Sequence, residues 1–433
     1  MNKKNIIKYI LFFIVVFILQ LLFNQFRYDT IYNFGMSSSI VKGEIPYKDI
    51  NMIITPLYPF LMTIGLYIHN VFWVYLLEQS LILTLFYFFL EKVIKKSTIV
   101  ILYVATLCYF DFIFPNYNSF IVFLLVILIY CEKNKKSDYI IGLLLAALIF
   151  TKQNIGIVIY IINIISTLSI KKNIKRTIPS IVGGIIFLIY LLINNALYSF
   201  IDLSILGLKS FTNTNATSSI YIVLVIICLI YNIYFIYNNK KDKNVYYLIA
   251  TYFFIIPICN RFHFIYFLIS NICVTFLVKN PTVKIKLKYL FIFLMSINIT
   301  YYSFVISDRA NYLITNNTMS GFLINKKDMD IYKEVLQKFN SYNKARFFTE
   351  NSMLLDLYNK NKISYYDIPN HGNFGKGSVK TIIKQIKQDK GTYYFIINDN
   401  NYGYQFAFEI VDFISSNYKK IDQVNIYEIY YIE

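Results

Sequence analysis

The sequence predicts a polytopic α-helical membrane protein of about eleven transmembrane helices followed by a C-terminal extracytoplasmic α/β domain. Three observations predict it. Hydrophobic residues make up 57% of the 433-residue chain and charged residues 15%, where a soluble domain carries about 25% charge; the mean hydropathy is +0.51. The apolar residues fall in blocks of the length that crosses a hydrocarbon core, about 20 residues each. From Ser307 onward the blocks give way to mixed polar and apolar runs of strand and helix size.

Taken in order, the apolar blocks place helices near 6–24, 71–91, 97–114, 117–132, 138–151, 154–169, 177–198, 219–238, 245–259, 264–279 and 288–306. The loops between them alternate in charge. One set holds Lys3, Lys4 and Lys8, then Lys92, Lys95 and Lys96, then Lys133, Lys135 and Lys136, then Lys171, Lys172, Lys175 and Arg176. It continues with Lys240, Lys241 and Lys243, and with Lys279, Lys284, Lys286 and Lys288. The other set holds only Arg27, Lys42, Lys48, Lys152, Lys209 and Arg261. The excess of basic residues on the cytoplasmic side of membrane proteins then puts the N-terminus in the cytoplasm and the C-terminal region outside a multi-pass plasma-membrane protein. The N-terminal apolar run is too long for a signal peptide and lacks a small-residue cleavage site, so it reads as an uncleaved first helix.

The segment from Asp138 to Ile170 is basic at both ends. As one helix it would be about 48 Å long, against a hydrocarbon core of about 30 Å. A hairpin turning at Lys152-Gln153-Asn154 brings both ends to the same side.

Residues 1–306 are expected to form the transmembrane domain, with a first outer loop over 25–70, and residues 307–433 the extracytoplasmic domain. In the latter, Ala345–Thr349, Ile363–Tyr366, Thr392–Ile397 and Asn425–Tyr431 read as strands. Met329–Phe339, Val379–Gln388 and Gln405–Tyr418 read as amphipathic helices, so the domain is α/β. Its Asn370-His371-Gly372-Asn373-Phe374-Gly375 loop has no nucleotide-binding spacing and reads as turns.

The net charge of +18 does not indicate nucleic acid. The basic residues lie in short loops between spans, and no soluble segment interleaves them with stacking aromatics. Cys108, Cys131, Cys228, Cys259 and Cys273 all sit in or beside apolar blocks without metal-site spacing, and read as buried apolar residues.

Chemistry is expected where ionisable groups gather at the membrane surface. The first outer loop carries Arg27-Tyr28-Asp29, then Gly43-Glu44-Ile45-Pro46-Tyr47-Lys48-Asp49, then Pro56-Leu57-Tyr58-Pro59. Its prolines stiffen it. Residues Thr30 to Val41 read as a short amphipathic helix on the membrane, with Ile31, Phe34, Ile40 and Val41 as the apolar face. Met52 to Ile68 reads as a re-entrant or surface segment. By spacing alone Asp29 is either a loop aspartate or a general base at the water–lipid boundary. Three further outer cations, Lys152 in the hairpin turn and Arg261 and His263 in Asn260-Arg261-Phe262-His263, are either turn residues or ligands for an anion.

These motifs resemble the GT-C superfamily of membrane glycosyltransferases, including the protein mannosyltransferase and aminoarabinose transferase families. The residue likeness covers roughly Arg27–Phe60, and the topology covers most of the chain. The resemblance implies transfer of a sugar from a polyprenyl-phosphate carrier to an acceptor on the extracytoplasmic face, with Asp29 as catalytic base. Many relatives follow that aspartate with a second acid; here Thr30 follows. The resemblance gives Lys48 to the donor phosphate; Arg261, Lys152 and His263, on the outer side by the loop alternation, are candidates for the same role. It gives Asp111, and with it Asp49, to the acceptor or to a divalent metal. The acceptor could be glycan, lipid or protein.

Glu78, inside the second span, is expected to face the bundle interior. It also suits the alternative of a lipid-linked glycan transporter or flippase. That alternative calls for charges spread along several helices, and a polysaccharide polymerase calls for a large loop between late helices.

Overall fold

The computed structural model describes residues 3–24, 28–94, 113–167, 169–207, 219–256, 258–275, 277–278, 311–315, 317–359, 363, 367–398, 403 and 405–433. The expected helix over 288–306, all but the last two residues of that over 97–114, and most of the expected strand over 363–366, lie outside them. Helices α1 (Lys3–Phe23), α2 (Tyr28–Val41), α3 (Leu57–Leu61), α4 (Thr63–Leu66) and α5 (Phe72–Ile94) come first. Then follow α6 (Tyr117–Lys133), α7 (Asp138–Thr151), α8 (Gln153–Thr167), α9 (Ile170–Ile193), α10 (Leu197–Ile201), α11 (Ser219–Asn239), α12 (Tyr247–Thr251) and α13 (Arg261–Thr275). The C-terminal region holds β1 (Asn311–Leu313), β2 (Leu323–Asn325), α14 (Lys326–Phe339), β3 (Ala345–Phe348), α15 (Ser352–Tyr358), α16 (Ser378–Gln388), β4 (Thr392–Ile396), α17 (Phe408–Asn417), β5 (Lys419–Val424) and β6 (Tyr427–Ile432).

The chain divides into two compact units. One comprises Met1–Gln20, Leu76–Ile186 and Ala216–Arg309; the other comprises Leu21–Tyr75, Phe187–Asn215 and Ala310–Glu433. Among the described residues, α1, α5, α9 and α11 are long and apolar enough to cross a membrane. On α1, α9 and α11 the large side chains face outward: Leu11, Ile186 and Ile230 are 57%, 64% and 65% exposed, as suits helices solvated by hydrocarbon.

In the first unit α6 is the interior helix, buried from Asn118 through Val126, as its all-round apolar surface requires. The hairpin expected at Lys152 is present. Lys152 is extended (φ −154°, ψ 102°) between α7 and α8. Gly156 brings the two arms together, because a Cβ there would overlap the backbone of Leu148 and Ile149. Buried polar side chains pair across helices, as a dry interior demands. Ser80 donates to Gln20 Oε1 at 2.9 Å, and Gln79 Nε2 donates to Ser119 Oγ at 2.8 Å. Glu78 is half-buried beside Gln79.

Two helices differ from expectation. α9 starts at Ile170 rather than near 177 and runs through Pro179. Its lysines and Arg176 are good helix formers, and Arg176 is anchored by contacts that a loop would not hold. The run over 245–259 is broken into a 3₁₀ turn (Lys243–Tyr246), α12 and a second 3₁₀ turn (Tyr252–Phe254). Asp242 accepts from the Asn244 amide at 3.0 Å and starts a tight turn, and the crowded tyrosines and phenylalanines that follow are weak helix formers.

In the second unit α2 is buried on every side from Thr30 to Ile40, Ser37, Ser38 and Ser39 included. It is therefore an interior helix, and the expectation of an amphipathic helix lying on the membrane fails. The reason is the covering: Gly35 admits the Met353 and Ile363 side chains, and Phe34 packs edge-on against Phe72 at 5.2 Å. Past Pro56 the chain forms only α3 and α4, each a turn or so long.

The antiparallel hairpin β1–β2 is tied to the rest of the second unit. Asn24 Nδ2 donates to Gly321 O at 2.8 Å, and Asn24 Oδ1 accepts from Leu323 N at 2.7 Å. Thr318 O and Ser320 O accept the otherwise unpaired amides of Phe72 and Trp73 at the start of α5, each at 2.9 Å. The main sheet has order β3-β4-β6-β5, with β3 and β4 parallel and the other pairs antiparallel. Alternation along the strands sends Phe348, Tyr394, Ile396 and Ile432 toward Ile382 and Ile386 of α16 and Ile410 and Ile414 of α17. Phe347, Phe395 and Ile429 face Val335, Leu336 and Phe339 of α14. Helices thus cover both faces, the α/β arrangement expected of this region.

Candidate functional site

The Gly43–Asp49 motif is a helix stop followed by a tight turn. Gly43 (φ +87°) occupies the left-handed position past the end of α2. The Gly43 amide bonds Ile40 O and the Glu44 amide bonds Ser39 O, both at 3.0 Å, which closes the helix in a Schellman motif. Tyr47, also left-handed at φ +70°, is fully buried. Its hydroxyl donates to Ile54 O at 2.7 Å, and its ring stands edge-on to Phe200 at 5.1 Å. With Tyr47 turned inward, Lys48 and Asp49 are left exposed. Asp49 Oδ2 accepts from the Ile45 amide at 2.9 Å, so this carboxylate closes the turn that presents Lys48.

Asp29 lies in the first turn of α2 and is half-buried. The unpaired amides of a helix start favour negative charge there. On the same helix, one turn apart, Tyr28 and Tyr32 line a pocket with Ile31, Glu350, Met353, Leu354, Asp367 and Ile368. Burial first, and then the charges of Glu350, Asp367 and Asp29, push the Tyr28 hydroxyl well above its ordinary range. Burial also raises Tyr32, and Asp29 adds to the shift. Both phenols therefore remain O–H donors. Glu350 Oε1 accepts from the Gly403 amide at 2.6 Å, and Asp367 is 1% exposed. Sequence reasoning noted Tyr28 but missed Tyr32, Glu350 and Asp367. The four-residue spacing of the tyrosines was the available signal.

In the first unit the structure brings Lys152 and His263 into one cluster. Lys152 Nζ donates to Asn118 Oδ1 at 3.2 Å. It also lies 5.2 Å from the Tyr117 ring centre and 5.5 Å from that of Tyr266, in the range of cation–π attraction. The Tyr266 hydroxyl donates to the same Asn118 oxygen. The His263 ring is 5.6 Å from that of Tyr266, and its Nδ1 is 2.7 Å from Phe254 O. A carbonyl only accepts, so Nδ1 carries a proton. Asn118, Tyr117 and Tyr266 were missed. The polar Asn116-Tyr117-Asn118-Ser119 opening of an otherwise apolar helix marked two of them.

Arg261 is the first residue of α13, and its side chain lies outside the described set, as does Asp111. Among the described residues no group of three or more His, Cys, Asp or Glu side chains could hold a metal ion, and the Asp49 carboxylate is engaged by its own turn. The expectation of a divalent metal gains no ligand set from these residues.

No protein-family model matches the sequence, and no curated protein matches it. Among solved structures, the crystal structure of ArnT from Cupriavidus metallidurans in the apo state is similar, with a TM-score of 0.58 at 9% sequence identity. The likeness spans 98% of this chain and 97% of that one, so it takes in the apolar helices and the C-terminal sheet together. This chain therefore shares the fold of that protein over nearly its whole length.

Proposed function

We propose that this chain is an integral-membrane glycosyltransferase that moves a sugar from a polyprenyl-phosphate-linked donor to an envelope acceptor on the extracytoplasmic face. The observation that carries the reading is the whole-chain likeness to ArnT. It is supported by Asp29, which opens the helix that follows the first apolar span, where the GT-C resemblance puts the catalytic base.

In this reading Asp29 takes the proton of the acceptor's nucleophile as that atom attacks the anomeric carbon. The bond from the anomeric carbon to the phosphate oxygen breaks, and the polyprenyl phosphate leaves with the electron pair. The leaving phosphate gains negative charge, which cations held in place stabilise more in the transition state than in the ground state. Lys48, presented by its rigid turn, and Lys152, held by Asn118, are assigned to this role together with Arg261 and His263.

The test incubates the purified protein in nanodiscs with a panel of polyprenyl-phosphate sugars and follows release of free polyprenyl phosphate. Asp29→Asn keeps the shape of the side chain and removes the base. Sugar transfer is expected to fall by about two to four orders of magnitude with donor binding retained. Full turnover in Asp29→Asn removes the base assignment, and absence of transfer from every donor in the wild type removes the reading.

A further inference from the structure

Asn118 is fully buried and its two halves are treated differently. Its oxygen accepts from two donors, the Lys152 ammonium at 3.2 Å and the Tyr266 hydroxyl. An ammonium has no acceptor capacity, so the amide cannot be flipped: turning its nitrogen toward Lys152 would oppose donor to donor. Nδ2 is thereby the half of the amide left to bond something else, and among the described residues it meets no acceptor. A buried amide donor without a partner is unfavourable in the resting protein and waits for an acceptor.

The surroundings select that acceptor. Lys152 supplies positive charge, and the Tyr117 and Tyr266 rings lie on it and fix its direction. His263, whose Nδ1 proton is directed at Phe254 O, packs against Tyr266 and lies within electrostatic reach of Lys152. A site that offers an ammonium, an amide N–H and aromatic faces is built for an anionic oxygen.

We infer that Asn118 is a positioning residue for the phosphate of the lipid-linked donor: it fixes the Lys152 ammonium through its oxygen and turns its amide N–H toward a phosphate oxygen. The inference rests on the glycosyltransferase reading and adds a residue and a ligand group to it. Asn118 acts through Lys152, so removing either should remove much of what the other contributes.

The experiment measures binding of decaprenyl phosphate and of decaprenol to the full-length protein in nanodiscs. Thermal unfolding of each variant serves as the check on folding. Asn118→Asp keeps the oxygens that Lys152 and Tyr266 need, but replaces the amide donor and neutralises the ammonium. Its affinity for the phosphate is expected to drop at least tenfold with that for the alcohol unchanged. Tyr266→Phe keeps the ring and removes one of the two hydrogen bonds that hold Asn118, and should weaken phosphate binding a few-fold. Asn118→Ala should have little further effect in a Lys152→Ala background.

Wild-type preference for the phosphate retained in Asn118→Asp, or losses from Asn118→Ala and Lys152→Ala that multiply independently, would overturn the inference and leave the donor reading standing. A wild-type protein that binds phosphate and alcohol equally would remove that reading, and the inference with it. If Asn118→Asp does not fold, the Tyr266→Phe measurement decides: no change in phosphate affinity sinks the proposal.

Discussion

The Arg176 guanidinium grips the Glu132 carboxylate with both nitrogens, at 2.6 Å from Nη1 and 3.3 Å from Nη2. The same guanidinium donates from Nε to Asp138 at 2.9 Å, and from Nη1 to Asn163 at 2.7 Å and Thr167 at 2.9 Å. One side chain, 6% exposed, thus pins α6, α7, α8 and α9 at the end of the α7–α8 hairpin opposite Lys152. Removing the guanidinium leaves the partly exposed Glu132 and Asp138 carboxylates without their partner, so Arg176→Met should destabilise the first unit by about 1–3 kcal/mol. Arg176→Lys has a compact ammonium in place of a planar fork and should recover only part of that loss. Thermal unfolding of the two variants in the same detergent checks the order.

Gly375 and Asp202 meet within the second unit. Gly375 is left-handed (φ +67°), and a Cβ on it would strike the Asp202 carboxylate, whose Oδ1 accepts from the Lys376 amide at 3.1 Å. Gly375→Ala should therefore cost about 1–3 kcal/mol, combining backbone strain with the clash. Shortening the partner by Asp202→Ala removes the clash but not the strain. The double variant should then unfold at a higher temperature than the sum of the two single losses predicts; strict additivity would show that the two residues do not meet.

What the sequence displays and what it hides divide along a physical line. The ends of α6, α7 and α8 were legible because polar and apolar residues change places sharply there, and the hairpin followed from the lysines at both ends of a run too long for one span. β3, β4 and β6 were legible from their β-branched and aromatic alternation. β5 was not: Lys419-Lys420-Ile421-Asp422-Gln423-Val424 is a polar edge strand, formed because β6 offers it a partner. α2 read as amphipathic because its apolar residues recur at helical spacing, whereas Gly35 on it is covered by Met353 and Ile363, more than 300 positions away. The candidate site divides in the same way. Asp29, Lys48, Lys152 and His263 stand out as charged or titratable groups beside apolar spans. Asn118 and Tyr266 meet across 148 residues of sequence, and no local pattern announces such a pair. Arg176 was read as a loop charge, and its burial depends on four helices at once.

Acid sensitivity should concentrate on Asp389. Burial raises the proton affinity of its carboxyl, but bonds from Lys344 at 2.6 Å and Tyr394 at 2.9 Å, with the Arg346 charge at 3.3 Å, outweigh burial and hold it below the ordinary carboxylate range. A carboxylate with a lowered folded-state pKa stabilises the fold above its unfolded value, about 3.9. That contribution is lost as pH falls through the folded value. The wild-type protein should thus lose thermal stability more steeply than Asp389→Asn below about pH 4, and be the more stable of the two near neutrality. Parallel melting curves over that range would deny Asp389 this role.

Asp49 can serve the turn or the chemistry, and two substitutions separate the roles. Its carboxylate accepts from the Ile45 amide at 2.9 Å, and the neighbouring amides of Lys48 and Asp49 both bond Ile45 O. The turn that presents Lys48 needs an acceptor at position 49 but not a charge. Asp49→Asn supplies the acceptor and should retain sugar transfer within about threefold, whereas Asp49→Ala frees the Ile45 amide and costs about 1 kcal/mol of local stability. Because Lys48 is then less well held, Asp49→Ala should raise KM for the lipid-linked donor more than it lowers kcat. A loss of kcat in Asp49→Asn as deep as that in Asp29→Asn would instead place the Asp49 charge in the reaction itself.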